Sequence, residues 1–205
     1  SSCSGAGSSG RTCRGRWRSL EQARASTGRD AGLRFVVHAG TTDVADRIHG
    51  RVTFDVSAEV GDFLIRRRDG AHAYQLAVVV DDARQGVDTV LRGADLLPSA
   101  ARQQLLQRAL GVATPAWIHV PLVLDEQGER LAKRRGDVAL TELRAAGVDP
   151  RAVVAWAARA SGIAMGGDER GSAAEFVERF DIGRLPSAAA QLCASDLAAL
   201  RNSRL

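Results

Sequence analysis

The chain is predicted to be an α/β domain followed by a small helical region, and three observations carry that prediction. A strand at Thr89–Arg92, a helix from Ser99 to about Leu110 and a strand at Trp117–Leu124 form a strand–helix–strand unit, which suits a parallel sheet. Upstream of it, β-branched and aromatic residues gather in short runs separated by Gly and Asp. Downstream of Gly136 the sequence turns Ala-rich, with helical spacing and capping signals.

The elements follow in order. Residues 1–32 are rich in Ser, Gly and Arg and read as a loop-rich stretch, with only Trp17, Leu20 and Ala23 hinting at a short helix. Leu33–Val37, Val52–Val56 and Asp62–Arg67 are predicted strands, and Asp43–Gly50 a turn or short connection between the first two. Asp69-Gly70 marks another turn. Tyr74–Val80 is a continuous apolar run, hence buried, but its periodicity leaves helix or strand open. Thr89–Arg92 reads as a short buried strand. Ser99 is the expected cap of the next helix, with Leu105, Leu106, Ala109 and Leu110 on one face and Gly111 at its end.

Asp125-Glu126-Gln127-Gly128 is a tight turn. Beyond it, Asp137–Ala146 is a helix ended by Gly147. Asp149 caps a second helix with Pro150 in first position and Ala152, Val153, Trp156 and Ala160 on its apolar face. Ser172 and Glu175 have capping-box spacing ahead of Phe176, Val177 and Phe180. A fourth helix is expected around Ala188–Leu200. The chain thus divides into residues 1–32, 33–136 and 137–205.

At 205 residues, 45% apolar and 25% charged, the chain is long enough for a core and too apolar for disorder. No run of 18 apolar residues occurs, so no membrane-spanning helix is expected, and no secretory leader is read at the start. The opening residues resemble the middle of a loop, so the chain is read as a fragment or a truncated protein. Net charge is +4, carried by arginine, since Lys133 is the one lysine; this balance permits contact with phosphate backbones without demanding it. Cys3, Cys13 and Cys193 are too few and scattered for a disulfide framework, which fits a reduced, cytoplasmic setting.

Several residues stand out chemically. Arg92 ends a strand and precedes Gly93, so its guanidinium lies at a strand's carboxyl end, where α/β sheets place ligands. Its planar fork suits a carboxylate held bidentately, or else pairs with Asp81, Asp82 or Asp95. Tyr74 opens an apolar run, either as a core tyrosine or with its hydroxyl in a cleft. Arg130-Leu131-Ala132-Lys133-Arg134 is a basic pentapeptide after a turn, either a solvated loop or a phosphate-binding one. Asp81-Asp82 is a candidate carboxylate pair or a capping device, and Asp95 is expected to order its turn. His38, His49, His72 and His119 show no metal or triad spacing, and His119, alternating with Trp117 and Pro121, reads as structural.

Four segments, Gly61–Arg67, Ala73–Asp82, Val90–Leu97 and Arg130–Arg134, resemble in order and spacing the second half of the catalytic domain of class I glutamyl-tRNA synthetases. Within that family the likeness is to the short glutamyl-Q-tRNA(Asp) branch, because only about seventy residues follow Arg134, too few for a large anticodon-binding domain. The resemblance implies the C-terminal part of a Rossmann-like catalytic domain, then a small helical subdomain. It also implies that Tyr74 and Arg92 bind glutamate, and that residues 130–134 form the loop that closes over ATP. In that loop Lys133 is the catalytic cation that neutralises charge on the phosphates. Arg130 stands where the family has its first lysine and Ala132 where it has serine. Asp81-Asp82 would face the end of the tRNA acceptor strand.

ATP and Mg²⁺ are the expected cofactors. Zinc is not expected, because Cys3 and Cys13 supply two of the four knuckle ligands a closed site needs. The implied activity is ATP-dependent activation of glutamate and its transfer, through glutamyl-adenylate, to the queuosine base of tRNA(Asp), by a cytoplasmic monomer. The alternatives are a fragment charging tRNA(Glu), a non-catalytic tRNA-binding remnant and a decayed gene fragment. The family's first half, with its own phosphate motif, is not found in these residues, so the isolated chain is expected to be inactive.

Overall fold

The computed structural model describes residues 25, 28, 31–131, 139–163 and 170–203 of the chain. The strands are β1 (Leu33–Phe35), β2 (Thr42–Asp46), β3 (Gly50–Phe54), β4 (Phe63–Arg66), β5 (Thr89–Gly93), β6 (Ala116–Val120), β7 (Val123–Leu124) and β8 (Ala190–Gln191). The helices are α1 (Val56–Glu59), α2 (Tyr74–Gln85), α3 (Leu97–Leu110), α4 (Leu140–Ala145), α5 (Pro150–Ala160), α6 (Ala173–Val177) and α7 (Ala194–Asn202).

A mixed sheet of order β3-β2-β6-β5 forms the centre. β5 and β6 lie parallel on either side of α3, as the strand–helix–strand reading predicts, with Arg92 opposite His119 and Val90 opposite Trp117. β2 and β3 form an antiparallel hairpin, and β2 meets β6 only where Asp46 faces Trp117. One face of this sheet, carrying Val44, Val90 and Trp117, is covered by Ala100, Ala101, Leu97 and Leu105 of α3. The fully buried Ala100 and Ala101 are small enough to bring the helix backbone close to the indole. β1 and β4 pair separately, and Phe35 stacks on Phe63 at 5.3 Å. Phe63, Val79 of α2 and Leu106 of α3 form the cluster beneath them.

The structure corrects several expectations. Thr42–Asp46 is a strand, not a connection: Thr42, Val44 and Asp46 point inward while Asp43 and Ala45 point out. An aspartate on each face hides that alternation in the sequence. The turn is confined to the residues between Asp46 and Gly50, where Gly50 takes φ +70°, a region open to glycine. Val56 leaves the strand because the Asp55 carboxylate accepts from the Ala58 N–H at 3.0 Å and starts α1. The open run at Tyr74 is helical.

β5 is an edge strand rather than a buried one, and Leu91 is 63% exposed. Helix α3 begins two residues before Ser99, with Pro98 in its first turn. Ser99 is instead buried, and its hydroxyl accepts from Arg102 at 2.7 Å and Gln75 at 3.3 Å. The inner face of α3 is mostly small and amide side chains, while Leu110 is exposed. Pro121 interrupts the predicted Trp117–Leu124 strand, leaving β6 and β7.

In the C-terminal part, Asp149 caps α5 and Pro150 follows it, as the sequence suggests. The buried Asp149 carboxylate accepts from the Arg151 N–H at 2.9 Å and meets Arg170 at 3.3 Å, and the Asp149 N–H reaches the Ser203 carbonyl at 2.7 Å. These bonds, the Arg151 amide first, hold its carboxyl below the ordinary range. The Ser172–Glu175 capping box forms. Around the expected fourth helix, Ala190–Gln191 is a strand parallel to β7, and α7 starts at Ala194. Leu143, Val148, Leu192 and Leu200 make the core here, with Val123 of β7 against them. Residues 137 and 138 of the first predicted helix lie outside the described residues.

Replacing Leu106, which joins α3 to the Phe63–Val79 cluster, by Ala is expected to cost about 2–5 kcal/mol. Urea unfolding of L106A measures this, and a loss under about 1 kcal/mol would contradict so tight a seam.

Candidate functional site at the carboxyl end of β5 and β6

Alternation along two parallel strands builds the site. Arg92 and His119 are register partners on β5 and β6, one pleat beyond Val90 and Trp117, so both side chains rise over the same face. The Arg92 guanidinium lies 5.0 Å from the Trp117 ring centroid, and Trp117 stacks on His119 at 6.0 Å. Arg92 Nε donates to His119 Nε2 at 3.0 Å, and Nη2 donates to the Leu96 carbonyl at 3.2 Å. Nε and Nη2 of the fork therefore have protein acceptors, and Tyr74 lies beside the same guanidinium. Burial lowers the Arg92 pKa, opposed by Tyr74, Asp82 and Asp95. A guanidinium so placed still keeps its charge.

His119 is fully buried and donates from Nδ1 to Asp46 Oδ2 at 2.7 Å. Desolvation lowers its pKa and outweighs the help from Asp46, with Arg92 and His49 acting in the same direction as burial. Burial works against charge on Asp46 as well, yet N–H bonds from His49, His119 and Ile48 hold its carboxyl below the ordinary range. The His49 ring donates from Nε2 to the His119 carbonyl at 3.0 Å.

Tyr74, at the first turn of α2, is 57% exposed instead of sunk in the core, and its hydroxyl side approaches Arg92 closely enough to favour the guanidinium charge. Asp82, two turns along, lies half-buried on the Arg92 side, whereas Asp81 is exposed, so the two carboxylates do not act as a pair. Asp95, expected to order its turn, also binds Arg130 at 2.8 Å. This contact sets the start of the pentapeptide beside the Arg92–Leu96 turn. Gly93 makes room there, since a Cβ would meet Asp95 Oδ1 at 2.6 Å and Leu122 Cδ2 at 3.2 Å.

Arg130 and Leu131 are exposed, while Ala132, Lys133 and Arg134 lie outside the described residues, as do Cys3 and Cys13. Cys193 is half-buried at the start of α7, where its N–H donates to Asp196 at 3.0 Å. Among the described residues no three His, Cys, Asp or Glu side chains are grouped to hold a metal, and no helix is long and apolar enough to cross a membrane.

The sequence reading missed Asp46, hidden in a segment taken for a turn, and His119, set aside as structural. No short-range signal joins Asp46, Arg92 and His119, which only the β2–β6–β5 register brings together.

The family model of the catalytic domain of class I tRNA synthetases (E and Q) matches the chain over residues 4–198, and the chain belongs to that family. Among individual relatives, it is 44% identical to the glutamyl-Q tRNA(Asp) synthetase of Symbiobacterium thermophilum over 92% of this chain and 58% of that protein. It is 60% identical to the enzyme of the same name from Xanthomonas oryzae over 47% of this chain and 32% of that one. The chain thus spans little more than half the length of these relatives at most. The crystal structure of glutamate-tRNA synthetase from Elizabethkingia anophelis superposes with TM-score 0.72 and 23% identity, covering 88% of this chain and 40% of that one, a likeness of fold.

Since the folded state disfavours a proton on His119, the unfolded chain binds that proton more readily below about pH 6.5. The contribution of His119 to stability is whole above that pH. It shrinks on acidification, by at most about 1.4 kcal/mol per pH unit, until the folded-state pKa is passed. Urea midpoints from about pH 8 to pH 5 are expected to fall more steeply for the wild type than for H119Q. Equal slopes would count against a neutral, buried imidazole.

Proposed function

We propose that the protein activates glutamate with ATP and passes the glutamyl group to the queuosine base of tRNA(Asp). The observation that carries this reading is the half-buried Arg92 guanidinium, stacked on Trp117, bonded at Nε and Nη2 and lying beside Tyr74. Such a fork takes the side-chain carboxylate of glutamate and leaves the α-carboxylate to react. An oxygen of the α-carboxylate bonds to the α-phosphorus of ATP, the bond to the β-phosphate oxygen breaks, and pyrophosphate leaves. A nucleophilic group of the queuosine base then attacks the acyl carbon and AMP departs. Lys133, in the pentapeptide that begins at Arg130, neutralises charge developing on the phosphates in the first step. Mg²⁺ would enter with the ATP phosphates and screen their charge.

The names of the relatives support this branch of the family, as does the small region following residue 136. tRNA(Asp), glutamate and ATP are the proposed partners of a monomeric, cytoplasmic enzyme divided at about residues 32 and 136.

Glutamate-dependent exchange of pyrophosphate into ATP by the full-length protein tests the first step. R92K, which keeps the charge and loses the fork, is expected to raise the glutamate KM by about 10- to 100-fold. Transfer of labelled glutamate to queuosine-containing tRNA(Asp), compared with tRNA(Glu), tests the second. Preferential labelling of tRNA(Glu) would overturn the queuosine assignment, and glutamine replacing glutamate as substrate would overturn the role of Arg92.

A further inference from the structure

The hydrogen bonds behind Arg92 admit a single arrangement of protons. The Asp46 carboxylate receives four donors: Oδ1 takes the N–H groups of Ile48 and His49 at 2.9 Å each, and Oδ2 takes the His119 N–H at 3.0 Å and Nδ1 at 2.7 Å. Surrounded by donors, the carboxylate acts only as acceptor, so His119 Nδ1 carries a hydrogen. On the far side of the ring, Nε2 faces Arg92 Nε at 3.0 Å, and a guanidinium nitrogen only donates. Nε2 must then offer its lone pair. An imidazolium would set N–H against N–H and cation against cation, and the opposite tautomer would set a lone pair against the carboxylate. Only the neutral ring protonated on Nδ1 satisfies both neighbours.

We propose that Asp46 and His119 are positioning residues for Arg92. Asp46 fixes the tautomer of His119, and the His119 lone pair fixes the rotation of the guanidinium over Trp117. The inference rests on the reading of Arg92 as the receptor of the glutamate side-chain carboxylate. It adds a reason for specificity: with Nε held by His119 and Nη2 by Leu96, the guanidinium is fixed in rotation, so an incoming carboxylate would meet it in a set direction. A carboxylate presented at another distance meets no second donor.

Two substitutions at one position separate positioning from packing. In H119Q the side-chain carbonyl reaches the place of Nε2 and still accepts from Arg92. In H119N the shorter amide reaches only the place of Nδ1, so it keeps the Asp46 contact and loses Arg92. Both remove the ring and are expected to lower Tm alike. In glutamate-dependent pyrophosphate exchange by the full-length protein, H119N is expected to raise the glutamate KM at least about tenfold. H119Q should recover most of that, and the ATP KM should hold in both. Equal glutamate KM values for the two variants, or the better value for Asn, would overturn the proposal.

Ring ¹⁵N shifts of His119, read without substrate, provide the second measurement. Protonation on Nδ1 is expected in the wild type, with Nε2 showing the shift of an unprotonated, hydrogen-bonded nitrogen. A wild-type ring protonated on Nε2 would overturn the proposal outright. A full-length wild-type protein that shows the Nδ1 tautomer but no glutamate-dependent exchange would refute the substrate and with it the glutamate-positioning role, while the ring shifts still report whether the tautomer is locked.

Discussion

The side chain of Asp46 joins the two halves of the central sheet. β2 touches β6 through one register pair and one further backbone bond, from the Arg47 N–H to the Trp117 carbonyl at 3.0 Å. Beyond that point the His119 N–H has no strand carbonyl to reach, and Asp46 Oδ2 accepts it instead. The other carboxylate oxygen ties down the turn into β3. Burying a lone carboxylate would cost several kcal/mol, and four convergent donors offset that cost. The β2–β3 hairpin is thereby fastened to β5–β6 at the end of the sheet where Arg92 emerges. Architecture and site share one anion.

The remaining features serve to hold Arg92 still. Ala100 and Ala101 let α3 press on Trp117, and Trp117 provides the surface on which the guanidinium lies. The 3₁₀ turn after β5 brings the Leu96 carbonyl back to Nη2, and Gly93 lets that turn pass between Asp95 and Leu122 without a Cβ in the way. In this half-buried setting, charge–charge interactions exceed those in bulk water. In the proposed function, a carboxylate meeting this guanidinium would find donors that have little freedom left to lose.

Local signals made much of the fold legible. Asp149 with Pro150, and Ser172 with Glu175, fix helix starts within a few residues, and both caps form. The parallel β5–α3–β6 unit follows from the order of apolar runs alone. Signals failed where tertiary burial overruled a residue's usual habit. Asp46 is a buried acid inside a strand, and aspartate more often marks turns. Ser99 is an interior helix serine with side-chain partners, and serine more often caps. In the site, Arg92 and Tyr74 stand out by position within their segments. His119 and Asp46 do not, because their importance lies in register: 73 residues separate them along the chain and 2.7 Å in space.

The Asp95–Arg130 pair bears on how two reactants could meet. The Arg130 side chain is 66% exposed, so the pair adds little stability, of order 1 kcal/mol or less. Its consequence is geometric. Arg130 also bridges Leu124 in β7, and β7 is paired with β8, so the first residue of the pentapeptide is tied both to the C-terminal part and to the turn that carries Arg92. In the proposed function the pentapeptide would close over a nucleotide from a base only a few residues from Arg92. Bringing an amino-acid carboxylate to an α-phosphate requires this proximity, because holding both reactants near one turn converts an encounter in solution into a step within one site.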